Sequence, residues 1–181
     1  MIRKIDDYVI DNFFQKLTEK IQSRTNKTNF YITIILIKIF FIITIPSELS
    51  FLIKLNLIMK FLTGFFVLHF YTFLLFRIKA CKILEEKYLD QNEMQTLNPL
   101  RYRDFIFRTT CLFLGSFTII LGILIFITTI NFSKLVLALG ALSITSAFYF
   151  MACTPATGKR LRELEKEKAL NLNLEPAKVQ I

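Results

Sequence analysis

One histidine, three cysteines and five glycines are spread over 181 residues, and the uninterrupted apolar stretches contain no Asp or Glu. Each scarcity removes a class of chemistry. Metal sites need several ligands in fixed geometry. With His69 alone, neither HxxxH nor HExxH can occur, so no catalytic residue, no metal ligand and no cofactor is expected. Cys81, Cys111 and Cys153 are odd in number and form no CxxC pair, which supports neither a disulfide framework nor a zinc knuckle. They read as small apolar fillers, with lipid acylation of Cys81 or Cys153 as the alternative. No Gly-rich phosphate loop occurs. Proton-coupled carriers commonly use carboxylates inside the bilayer, and their absence from the clean apolar stretches weighs against that class.

What is present is apolar mass. Hydrophobic residues make up 54% of the chain, twenty of them Phe, and the 20% that is charged is confined to a few segments. Soluble domains hold less of the first and more of the second. Four long apolar stretches emerge, and four spans would use about 80 residues. The pattern predicts an all-α integral membrane protein of four transmembrane helices in two hairpins, with an N-terminal amphipathic helix and cytoplasmic helical extensions. Residues 1–28 form the amphipathic segment. Residues 29–153 form the transmembrane domain, with spans at about 30–46, 57–77, 109–131 and 135–153. Residues 154–181 form a charged tail. No small-x-small site follows the first stretch, so it is expected to remain as a signal anchor. Asp6, Asp7 and Asp11 argue against a mitochondrial transit peptide.

In the first segment Ile5, Val9, Phe13 and Leu17 recur every four residues, which places them on one helical stripe. Lys4, Asp7, Lys16 and Lys20 fall on other faces. The stripe predicts a helix lying in the membrane interface, or one packed on the protein's own loops. The first span is interrupted by Lys38 and ends at Pro46. Ser47 and Ser50 are candidate caps for the next helix, with Glu48 in its first turn. That helix continues past Arg77 as a stalk. Asn98-Pro99 opens a further helix. Thr154-Pro155 and Gly158 mark a break before a solvated helix.

Orientation follows from charge. Nineteen of the 23 Lys and Arg lie in the N-terminal segment, the middle connection with its helix ends, and the tail. Only Lys54 and Lys134 lie in the other two connections, with Lys60 just inside the membrane. The positive-inside rule then places both termini in the cytoplasm, and the expected setting is the bacterial inner membrane. The net charge of +9 is assigned to anionic headgroups and orientation, with no nucleic acid as partner. Tyr31, Tyr71, Tyr102 and Tyr149 are expected toward the cytoplasmic ends of their spans.

Two polar residues fall inside the apolar stretches, Lys38 and His69, near the middle of adjacent spans. Lys38 is expected to snorkel, to meet a partner's acid, or to face an anion. For His69 the plain expectation is a hydrogen bond to a neighbouring Thr or carbonyl. Small residues mark a second pattern. Gly115, Thr118 and Gly122 share a face of the third span, and Gly140, Ser143 and Ala147 share a face of the fourth. Small residues let helices approach in lipid, so these two spans are expected to pack tightly together, leaving the bulkier first two for lipid or a partner.

The leading functional expectation is a non-enzymatic accessory or structural subunit, or a scaffold presenting cytoplasmic helices to a partner. The bilayer and a protein partner or second copy are the expected contacts. One alternative is a small oligomeric channel or transporter with an anion-preferring path. Another is a secreted effector that inserts into a host membrane.

Overall fold

Backbone groups in a bilayer must bond within their own segment, which leaves helices as the natural choice for so apolar a chain. A computed structural model describes residues 2–91, 99–129 and 132–156. Among the described residues all regular structure is helical and no strand occurs. In chain order these are α1 (Ile2–Val9), a π-helical turn (Ile10–Phe14), α2 (Gln15–Thr25), α3 (Asn29–Lys54), α4 (Leu57–Gln91), α5 (Pro99–Arg103), α6 (Phe105–Thr129) and α7 (Phe132–Ala152). Four of them, α3, α4, α6 and α7, are long and apolar enough to cross a membrane.

Local chemistry sets the boundaries. Asn26 adopts the left-handed conformation (φ 53°) that ends α2, a role Asn fills readily. Asn56 caps α4, its Oδ1 accepting the Met59 N–H at 3.0 Å. Ser47, Ser50 and Glu48 are not at that cap. They lie inside α3, which runs through Pro46 to Lys54. Pro46 removes one backbone bond, and an interior proline costs roughly 3 kcal/mol. The turn beyond it is tied to α4: Tyr71 Oη donates to Glu48 at 2.6 Å and lies 2.9 Å from the Thr44 hydroxyl. Tyr71 therefore sits near the Glu48 end of α3, away from the Arg-rich end where its position in the sequence had placed it. Pro99 opens α5 as expected, and Asp104 separates it from α6.

Helix α7 lies between α3 and α6. Ser143 Oγ donates to the Leu36 carbonyl at 2.8 Å, and Thr33 Oγ1 to the Ala147 carbonyl at 3.4 Å. A Cβ on Gly140 would come within 2.7 Å of Thr44 Cγ2. Position rises along α7 as it falls along α3, so the two run antiparallel. On its other side Thr145 Oγ1 donates to the Cys111 carbonyl at 3.2 Å. Gly115 leaves the space that this Thr145 hydroxyl fills. Phe148 lies 4.6 Å from Phe107, centroid to centroid. Helix α4 follows α3 through Phe41 and Tyr71, 5.1 Å apart, and touches α6 where Phe73 meets Phe107 at 5.1 Å.

The two small faces therefore do not pair with each other as the sequence suggests. Gly140, Ser143 and Ala147 receive α3, whose Leu36 and Phe40 need the room. The third span contributes Gly115 opposite a β-branched residue. Gly122 is buried, while Thr118 is half-buried and turns its hydroxyl to its own Leu114 carbonyl at 2.8 Å.

Candidate functional site

The densest polar chemistry lies where the N-terminal helix meets the ends of α4, α6 and α7. Asp6 and Arg108 are both almost fully buried, each side chain 1% exposed. Arg108 Nε donates to Asp6 Oδ1 at 3.0 Å, and its Nη2 donates to Asp6 Oδ2, making a two-pronged pair. The same Nη2 donates to the Arg101 carbonyl at 3.0 Å. Arg101 in turn reaches Asp11 at 2.8 and 2.9 Å and Asp7 at 3.1 Å. Hydrogen bonding to Asp11, and next to Asp7, raises the pKa of Arg101 against the opposing effect of burial. The Arg108 guanidinium also lies 5.7 Å from the Tyr149 ring centroid, and Phe14 stacks on that ring at 4.8 Å. Beside this group Arg77 donates to Asp104 at 2.6 Å and lies over Phe73.

Three amides then hold the chain as it leaves α7. Asn29 Nδ2 donates to the carbonyls of Phe150 and Cys153, at 2.9 and 2.8 Å, which otherwise lack partners at a helix end. Gln15 pairs with both backbone groups of Thr154, at 2.9 and 3.0 Å. Gln22 pairs with both backbone groups of Ala156, at 3.2 and 2.9 Å, and donates to Tyr88 Oη at 3.0 Å. Tyr88 Oη itself donates to the Ala156 carbonyl at 2.6 Å. Thr28 and Glu85 form one more tie between the start of α3 and the α4 stalk.

Taken together these bonds form a clamp. A buried ion pair adds little net stability over an apolar core, yet it is specific, because removing one partner strands a charge. Both oxygens of Asp6 are engaged by Arg108, so this carboxylate fixes position. Among the described residues no group of three His, Cys, Asp or Glu side chains is placed to hold a metal ion.

The interface stripe is placed differently from residue to residue. Ile5 and Phe13 are exposed (50% and 60%), while Val9 and Leu17 are half-buried. The face turned to the bundle is Asp6, Ile10, Thr18 and Gln22. Lys38 and His69 are both exposed on the outer surfaces of their helices, and the His69 ring stacks on Phe65 at 6.4 Å. Any path they lined would have to run between chains. The charges of the clamp were visible in the sequence only as orientation signals or as solvated positions. Asp7 and Asp11, four apart, and Arg101 and Arg108, seven apart, each share a helical face. That spacing was the available clue.

Compared with known protein families, curated proteins and solved structures, the chain matches none. The functional reading therefore rests on geometry and composition alone.

Proposed function

We propose that this chain is a non-enzymatic multi-pass membrane protein, an accessory subunit or scaffold that presents its helical, Arg-rich end to a partner in the cytoplasm. In this reading α3, α4, α6 and α7 span the membrane, both termini are cytoplasmic, and the bacterial inner membrane is the setting. The observation that carries the reading is the two-sided N-terminal helix. Its polar side is spent on the clamp, through Asp6, Gln15 and Gln22, while Ile2, Ile5 and Phe13 on its other side are more than half exposed. A helix held that way is positioned relative to the bundle, with an apolar face left for the lipid interface. Nearby Lys4, Lys16 and Lys20 are exposed and suit anionic headgroups.

The chain has no tryptophan, so Phe13→Trp supplies a unique reporter. In vesicles of phosphatidylcholine and phosphatidylglycerol, its emission is expected to shift blue and to be quenched by lipids brominated near the headgroup. Emission typical of water, unaffected by brominated lipid, would reject the interfacial face. Reporter fusions at Gln95 and Ile181 are expected to read cytoplasm, and fusions at Ser50 and Ser133 the far side. The opposite pattern would reject the orientation.

A further inference from the structure

Helix α3 carries two stripes of very different fate. One is consumed by α7, through Asn29, Thr33, Leu36, Phe40 and Thr44. The other consists of Tyr31, Ile35, Lys38, Ile42, Ile45 and Leu49, and every member is exposed, the apolar ones by 40–74%. Their spacing is four, three, four, three, four. That is the alternation of coiled-coil core positions, the 3.5-residue repeat that keeps one seam against a partner helix. The stripe rises about 27 Å, close to the roughly 30 Å of a bilayer's hydrocarbon.

Within this seam Lys38 is the only charged residue. It takes part in no ion pair among the described residues. A single lysine at a core position sets register and choice of partner at a cost in stability, and a central lysine is costly in hydrocarbon. The chain offers it no acid: Glu48, the acid within α3, is engaged by Tyr71 near the far end of the helix. A second copy does not suit the seam either. Two copies inserted the same way would bring Lys38 against Lys38.

We propose that this face of α3 docks a transmembrane helix of a different protein, one carrying an Asp or Glu at the depth of Lys38. The inference rests on the membrane-spanning reading above and adds the partner's chemistry. The partner would bring a carboxylate flanked by apolar residues at heptad spacing. Its helix would lie against Ile35, Ile42 and Ile45, and the ion pair would fix the register.

The test uses the full-length chain, fluorescently labelled and reconstituted in phosphatidylcholine vesicles, with three synthetic transmembrane peptides as probes. Each has the same Leu/Ile heptad seam and carries Glu, Leu or Lys at the depth of Lys38. Energy transfer is expected to report binding of the Glu peptide about fivefold or more tighter than the Leu peptide, as for polar helix contacts in membranes. The Lys peptide should bind most weakly. Lys38→Leu should erase the preference, and Lys38→Glu should transfer it to the Lys peptide. Equal binding of the Glu and Leu peptides would overturn the proposal and leave Lys38 reaching for headgroups. A Glu preference that survives Lys38→Leu would overturn it too, as would self-association of the chain abolished by Ile42→Ala. A separate control guards the underlying reading: if a water-soluble amine reagent labels Lys38 in sealed vesicles, α3 does not span there, and the membrane reading fails first.

Discussion

Helices α7 and α4 are both apolar enough to cross a membrane, yet 61% of the first span is buried against 6% of the second. Helix α4 is the richer in Phe, but its N-terminal half leaves Leu57, Phe61, Phe65, Phe66 and Leu68 exposed, and a Cβ on Gly64 would meet nothing within 4 Å. Its buried side chains include Leu74, Cys81 and Tyr88, a narrow line seven residues apart. Helix α7 has fewer bulky residues facing α3 and more small and hydroxylated ones: Gly140, Ser143, Thr145 and Ala147. The difference teaches that apolar content does not bring helices together when the surroundings are apolar too. Close approach and specific polar contacts do. The packed part of α4 obeys the same rule, because it is where Arg77 meets Asp104 and Tyr88 meets Gln22.

The comparison can be broken or sharpened by substitution. The largest effect is expected at Arg108, whose replacement by Met strands the buried Asp6 carboxylate. About 3–5 kcal/mol should be lost, read from unfolding of the purified protein in mixed micelles followed by circular dichroism. A loss below about 1 kcal/mol would mean that Asp6 escapes to solvent and the clamp is not rigid. Gly140→Leu comes next. It forces side-chain atoms into Thr44 and Phe40 and should cost up to about 3 kcal/mol, with the same readout. Gln22→Leu leaves the Ala156 backbone and the Tyr88 hydroxyl without their amide. A cost of about 1–2 kcal/mol is expected, accompanied by faster proteolysis of the chain after Ala156. Gly64→Leu should change stability by no more than about 0.5 kcal/mol, since nothing lies nearby. A Gly64 variant as damaging as the Gly140 variant would show that the free half of α4 is covered by another molecule.

Much of the helical layout could be read from the chain because it depends on local runs. Uncharged stretches, the Asn98-Pro99 start and the continuation of α4 past Arg77 are all short-range signals. Pro46 misled because a proline is a strong local stop, whereas here Tyr71 and Thr44 hold the turn beyond it. Asn56 was passed over as a cap because the serines nearer Pro46 fit the same rule. The small faces were recognisable, but which neighbour each receives depends on the order of helices in space. The clamp was the least legible part. Asp6 and Arg108 lie 102 residues apart, and a lone Asp among lysines looks like any solvated position. Lys38 stood out by being charged in an apolar run, and its heptad neighbours became meaningful only once the opposite side of α3 was seen to be occupied.

The π-helical turn at Ile10–Phe14 has its own consequence for chain length. Residues spaced by four, such as Asp6, Ile10, Thr18 and Gln22, drift around an α-helix by about 40° per step. Each wider i→i+5 turn takes up more residues per revolution and cancels part of that drift. The turn thus acts as a one-residue spacer that lets a strict four-residue repeat face the bundle from Asp6 to Gln22. Deleting Asn12 should convert the segment to continuous α-helix and rotate everything after it by roughly 100°. Asp6 would keep Arg108, but Gln15 and Gln22 would swing away from Thr154 and Ala156. The N-terminal segment should therefore tolerate many surface substitutions there and scarcely any change in its count of residues.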